Sequence, residues 1–305
     1  MNPLVSVIIP VYNTGEYLRQ ALDSILNQSL EGIEIIAVND GSTDDSGDIL
    51  REYSDRIIII DKANGGQAAA RNDAMGIATG RYIYFFDSDD ILEPDALEKC
   101  YELCEKDYLD FAFFDAVTFG DDNLIAENPW YIYDRARFYL SPRSGLDTIT
   151  DMLENGRYKC SVCMSLFRHS FLQNYALKFY PGITYEDELF SAIAYFKASR
   201  VEGIPRQFYQ RRLHDGSTVT SKYTLKKYNS HLTVVDQIRR QTPHSKQHKN
   251  ASRLLIGEIL HAMCYNAYDM DFLYRLKLAL IIIFKYPYAA KLHTLGVLLL
   301  KKILK

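Results

Sequence analysis

Val5-Ser6-Val7-Ile8-Ile9-Pro10-Val11-Tyr12-Asn13 is the run on which the fold turns. Its apolar stretch superficially matches a secretory leader, but it has no basic residues before it and no small-residue cleavage site after it, so it reads as a buried strand. Three more short runs rich in Val, Ile, Tyr and Phe follow at 33–38, 56–60 and 81–86. They carry the pattern of strands buried on both faces. Between them, 17–27, 44–53 and 67–79 place apolar residues at helical spacing. Strand and helix alternating three times implies an α/β fold with parallel strands and right-handed crossovers.

Composition narrows the class. The chain has 305 residues, with 35 Lys and Arg against 39 Asp and Glu, for a formal charge of −4. That balance excludes a basic nucleic-acid binder, and no nucleic-acid partner is expected. With 48% hydrophobic and 24% charged residues, the chain can bury a sizeable core, which excludes global disorder. The length suits one large domain with an appendage. Five cysteines are too few and of the wrong parity for a disulfide scaffold, so a reducing, cytoplasmic setting is expected. No apolar run reaches the ~18 residues of a membrane span. The longest is 278–284.

Polar clusters fall where the strands end. Pro10-Val11-Tyr12-Asn13 follows the first, Asn39-Asp40-Gly41-Ser42 the second, Asn64-Gly65-Gly66-Gln67 the third and Asp87-Ser88-Asp89-Asp90 the fourth. Open α/β sheets bind ligands beyond the carboxyl ends of their strands. Ser42 or Thr43 is placed to cap the second helix, and Gly80 to close the third. Further along, 95–106 and 186–198 read as helices, and 111–117, 161–167 and 201–211 as strands. The segment 120–158 reads as a connection with short helices. From 224 onward the pattern is helical only, and beyond Asp271 every charged residue is Lys or Arg, which puts a boundary near 217–224.

The sharpest chemical signal is three carboxylates within Asp87-Ser88-Asp89-Asp90. A hard cation takes one or two carboxylates and fills its shell with water and phosphate oxygens, and Asp87 and Asp89 meet that need. The plainer reading is an acidic cap on a helix from 91 to 103. Asp40 reads as an acceptor for a base or ribose, as a phospho-acceptor, or as an ordinary Asx turn. The Asn64-Gly65-Gly66-Gln67 stretch lets the backbone approach a ligand, with Arg71 one turn into the helix near phosphate. It is not the Gly-x-Gly-x-x-Gly dinucleotide fingerprint, and a Walker-type loop is absent. Within Tyr185-Glu186-Asp187-Glu188 a carboxylate would serve as general base if the fold brought it to the sheet edge, the alternative being an acidic first helical turn. Cys100, Cys104, Cys160 and Cys163 suggest buried thiols before they suggest zinc.

In order and spacing, 5–13, Asn39-Asp40-Gly41-Ser42, 66–72 and Asp87-Ser88-Asp89-Asp90 resemble the nucleotide-sugar domain of family two glycosyltransferases with the GT-A fold, over roughly the first 95 residues. Tyr185-Glu186-Asp187 resembles that family's Glu-Asp element. Gln210-Arg211-Arg212 with Ser217 is similar to a segment closing the domain in capsule and O-antigen sugar transferases. The resemblance implies a nucleotide-diphospho-sugar transferase fold, a mostly parallel Rossmann-like sheet flanked by helices with a C-terminal helical extension. The catalytic domain would be 1–220, its donor half 1–95 and its acceptor half 96–220, with 221–305 as the helical region.

Carried over by residue, the resemblance implies that Pro10, Tyr12 and Asp40 hold the nucleoside, with Asp40 on the base. Arg71 would lie near the nucleotide, and Asp87 with Ser88 at the donor, Asp87 near the ribose. Asp89 would hold a Mn²⁺ or Mg²⁺ bridging the diphosphate. His214 is an additional contact to metal or diphosphate, or else a surface-loop histidine. Asp187 would take the proton of the acceptor hydroxyl, giving inversion at the anomeric carbon by single displacement. A loop at 217–222 would fold over the donor. The implied donor is a UDP-sugar and the acceptor a glycan or lipid-linked saccharide of a bacterial surface polysaccharide. The basic, apolar tail from Leu273 suits either an anionic membrane surface, here the cytoplasmic face of the inner membrane, or packing on the protein. The rivals are a nucleotidyltransferase, whose Gly-rich basic signature after the first strand is missing, and a non-catalytic carbohydrate or partner-binding module on the same fold.

Overall fold

In the computed structural model the described residues are 3–127, 132–216 and 221–300. Strands β1 (Val5–Val11), β2 (Ile33–Asp40), β3 (Ile58–Lys62) and β4 (Tyr82–Phe85) alternate with helices α1 (Gly15–Leu26), α2 (Ser46–Glu52) and α3 (Gln67–Ile77). They pair in parallel in the order β3-β2-β1-β4, as the alternation requires. Next come β5 (Ile91–Leu92), α4 (Ala96–Lys106), β6 (Phe111–Gly120), α5 (Asp122–Glu127), α6 (Gly145–Glu154), β7 (Ser165–Arg168), α7 (His169–Asn174), α8 (Glu186–Lys197) and β8 (Val201–Leu213). These strands extend the sheet on the β4 side in the order β7-β6-β8-β5, with β7 antiparallel to both neighbours and β8 parallel to β6. The chain ends in α9 (Leu225–Gln241), α10 (Lys246–Asn266), α11 (Phe272–Lys285) and α12 (Leu292–Leu300). This is the mostly parallel sheet with flanking helices that the resemblance implied.

β1 and β4 are buried throughout, while β3 is half exposed because it forms the sheet edge, not a doubly covered interior strand. The third crossover is not closed by Gly80. α3 ends at Ala78, and Gly80 is required elsewhere: a Cβ there would sit 2.4 Å from the Ser6 backbone nitrogen. Ser42 and Thr43 do not cap α2, whose N-cap is Asp45 without a side-chain bond. They bond instead to the β1 cluster, since Ser42 Oγ accepts from the Asn13 N–H at 3.2 Å and Asn13 Oδ1 from the Thr43 N–H at 2.8 Å. The segment 161–167 begins with a short 3-10 turn, Val162–Met164, before β7. Residues 217–220, which carry Ser217 and part of the expected boundary and closing loop, lie outside the described residues.

Candidate active site

The Asp87-Ser88-Asp89-Asp90 stretch does not cap a helix. It links β4 to β5, and α4 starts only at Ala96. Both ends are fixed by the sheet: the Phe86 N–H donates to the Ile8 carbonyl at 3.0 Å, and Leu92 pairs with Tyr209 of β8. Asp90 is buried and was missed as a site residue. It accepts from the Tyr209 hydroxyl and, at 2.6 Å, from the Arg212 N–H, so it pins the loop to β8. Burial, then the charges of Asp89 and Asp87, hold its carboxyl well above the usual range. The available signal was arithmetic, a third carboxylate where a hard cation wants one or two.

Within the loop, Ser88 is buried and accepts from Thr14 Oγ1 at 2.9 Å. Asp87 Oδ1 accepts from Arg71 Nη2 at 2.7 Å and Gln67 Nε2 at 3.0 Å. Asp89 Oδ2 lies 3.0 Å from His214 Nε2, and its carbonyl accepts from Arg212 Nε at 2.8 Å. The hydrogen bond to Asp89 raises the imidazole pKa, opposed by partial burial. His214 is therefore brought to Asp89 rather than left on an open surface loop.

Beyond β1 and β2, Pro10 is buried opposite Val38, while Tyr12 is half exposed. Asp40 is buried, with Oδ1 accepting from the Gly65 N–H at 2.8 Å and Oδ2 from the Gly66 N–H at 2.7 Å. Gly41 takes φ +74°, and a Cβ there would come 2.8 Å from the Asn64 nitrogen. Asp40 thus shapes the glycine loop that opens α3, and α3 carries Arg71.

Arg71 is 2% exposed and donates from Nη1 to Glu186 Oε1 at 2.9 Å as well as to Asp87. Burial pushes the Glu186 carboxyl up to about 7 against the pull of Arg71. The adjacent Asp187 lines a cavity of about 60 Å³ that opens to solvent, together with Arg71, Asp87, Asp90, Tyr209 and Arg211. The structure therefore gathers Arg71, Asp87 and Asp187, which are distant in sequence, around one space. Asp89 and His214 pair beside the loop, and Pro10, Tyr12 and Asp40 stand at the ends of β1 and β2; none of these five lines that wall. Cys160 and Cys163 line the cavity, and Cys100 and Cys104 pack in the core.

Among the described residues, no group of three or more His, Cys, Asp and Glu is arranged to hold a metal. Asp89 and His214 supply one carboxylate and one imidazole within contact of each other. The Asp89 carboxylate fits a Mn²⁺ or Mg²⁺ that completes its shell with phosphate oxygens and water; His214 Nε2 would join it only as a neutral acceptor, released from its bond to Asp89.

A profile described as Glycosyl transferase family 2 matches residues 6–176. The chain is 32% identical over 221 residues to Glycosyltransferase GlyA of Streptococcus pneumoniae serotype 4, covering 70% of this chain and 31% of that protein. It is 33% identical over 241 residues to Putative glycosyltransferase EpsH of Bacillus subtilis, covering 77% and 67%. It thus spans about a third of the first relative's length. Among solved structures, S. aureus TarS 1-349 in complex with UDP-GlcNAc superposes with a TM-score of 0.69 at 20% identity, over 95% of this chain and 79% of that one. Mannosyltransferase PcManGT from Pyrobaculum calidifontis, in complex with GDP-Man and Mn²⁺, gives 0.61 at 14% identity over 98% and 85%. At these identities the superpositions speak for the fold.

Proposed function

The chain belongs to glycosyl transferase family 2, and from that premise we propose that it is an inverting, metal-dependent glycosyltransferase that moves a sugar from a nucleotide-diphosphate donor, a UDP-sugar, to a hydroxyl of a glycan or lipid-linked acceptor in bacterial surface-polysaccharide synthesis. The observation that carries this reading is the convergence of Arg71, Asp87 and Asp187 on one cavity beside the Asp89–His214 pair. The ligands named for the two structural neighbours, UDP-GlcNAc and GDP-Man with Mn²⁺, agree with a nucleotide-sugar donor and a divalent cation.

In this reading, Pro10, Tyr12 and Asp40 form the nucleoside end. Asp40 acts there by fixing the Gly65-Gly66 turn against which the base would sit. Asp87 and Ser88 take the ribose side. Asp89 and His214 would hold the cation, which would supply positive charge beside the departing diphosphate. Asp187 removes the proton from the acceptor hydroxyl as its oxygen bonds to the anomeric carbon, and the bond to the diphosphate breaks with its electron pair on the diphosphate. Attack from the face opposite the leaving group inverts the centre. Residues 1–220 would be the catalytic domain and 221–305 a helical region.

No described helix is long and apolar enough to cross a membrane. The exposed apolar face of α11, with Leu273, Leu280 and Phe284 beside Lys277, supports peripheral contact with an anionic inner-membrane surface on the cytoplasmic side. The reading is tested by a thermal-shift screen of nucleotide sugars with and without Mn²⁺. A UDP-sugar should raise the Tm only when the cation is present. No shift with any nucleotide sugar, cation or not, overturns it.

A further inference from the structure

Two neighbouring residues of α3, Arg71 and Asn72, reach across to the segment that leads into α8. Asn72 holds the Phe179 backbone at both ends, Nδ2 donating to its carbonyl at 2.8 Å and Oδ1 accepting from its N–H at 2.9 Å. The Arg71 guanidinium lies over the Phe179 ring, 5.1 Å from its centroid, and that ring stacks on Phe190 of α8 at 4.2 Å. Arg71 then bonds Glu186 in the first turn of α8. The helix is entered through Tyr185 at φ +69°, a left-handed conformation that a non-glycine residue keeps only where its surroundings fix it.

These contacts give Arg71 a different place from a direct contact to nucleotide. With both Nη atoms committed to carboxylates and almost no exposed surface, it bridges the donor loop at Asp87 to the base-bearing helix. Successive helical residues point about 100° apart. The Glu186 side chain therefore acts as a stop: held by Arg71, it fixes the rotation at which Asp187 meets the cavity.

We propose that Arg71 and Glu186 are positioning residues which, with Asn72, set the orientation of Asp187 and couple it to the donor loop. This rests on Asp187 being the general base. It makes the Glu of the Glu-Asp pair a structural lever and not a second acid or base.

The test is Glu186→Ala, which leaves the Arg71–Asp87 bond in place, assayed for donor affinity and for transfer. Donor Kd should stay within about twofold while kcat falls at least about tenfold. Glu186→Gln, whose amide oxygen still accepts from Arg71, should restore most of that loss. If Glu186→Ala does not fold, Asn72→Ala keeps every charge and should show the same split with a smaller fall in kcat. Transfer at the wild-type rate by the folded variants overturns the proposal. So does a loss of donor affinity in step with kcat, which would make Glu186 a donor contact. Asp187→Asn run alongside separates the two readings: wild-type transfer by that variant removes the base itself, whereas a dead Asp187→Asn beside an unimpaired Glu186→Ala removes only the lever.

Discussion

Tyr185 lies flat against His231 of α9, with ring centroids 3.8 Å apart and an angle of 18° between the planes. The hydroxyl of Tyr223 lies 2.9 Å from His231 Nδ1, and the Thr184 N–H donates to Ser230 Oγ at 3.0 Å. The first helix of the C-terminal region thus buttresses the entry to α8 one residue before Glu186.

Burial, reinforced by Lys227, pushes the His231 pKa down to about 3. The folded state keeps this imidazole neutral where an unfolded chain, titrating near 6.5, takes up a proton. Its contribution to stability is complete above that value and falls as pH drops from 6.5 toward 3, by up to about 1.4 kcal/mol per pH unit. Chemical denaturation of wild type and His231→Phe at several pH values should show a slope shallower by one proton in the variant. Equal slopes would mean the ring is hydrated.

Glu188 works in the opposite sense. Its Oε1 is enclosed without a hydrogen-bond partner, and burial, then Asp187, raises its pKa to about 8. The folded state binds the extra proton, so stability falls as pH rises from about 4.5 to about 8, and Glu186, at about 7, adds to the same trend. Glu188→Gln should be close to wild type in Tm at pH 5 and more stable at pH 8. A constant Tm difference across that range would contradict this account.

Removal of the proposed base and of the proposed metal-binding carboxylate should separate binding from transfer. Asp187→Asn should bind donor normally and lose at least about a hundredfold in kcat. Asp89→Ala should lose the Mn²⁺-dependent rise in Tm on adding donor. Isothermal titration with and without Mn²⁺ checks donor binding by Asp187→Asn, a transfer assay its kcat, and thermal melts the Asp89→Ala variant.

The outward face of α11 carries Leu273 at 76% and Phe284 at 80% exposure, while Leu278 and Ile282 on the other side are buried. An exposed apolar stripe on a helix, flanked by basic residues, marks a face that meets a partner surface. Leu273→Asp with Phe284→Asp should lower co-sedimentation with vesicles containing phosphatidylglycerol and leave donor binding unchanged. Equal sedimentation of the variant would mean that this face does not seat in lipid.

Periodicity made much of the fold legible, because β1, β2, β4 and their crossovers draw their structure from local pattern. β3 has the same apolar composition but ends the sheet, and position within a sheet is a property of strand order that a single run does not encode. β5 is two residues long and exists because β8 passes beside it. The carboxylate loop was legible as a cluster. What hid Asp90 is that its partners, Tyr209 and Arg212, lie some 120 residues away. Arg71 was expected near the nucleotide because a basic residue after a glycine loop suggests phosphate, and its commitment to Glu186 depends on a helix 115 residues further on.

Cys160 and Cys163 sit in the cavity wall, where burial holds both thiols well above their ordinary pKa. Oxidants and alkylating agents attack the thiolate, which is scarce here at neutral pH. The pocket's sulfur atoms are chemically quiet, so the protein should tolerate peroxide or iodoacetamide without losing the space proposed for its reactants.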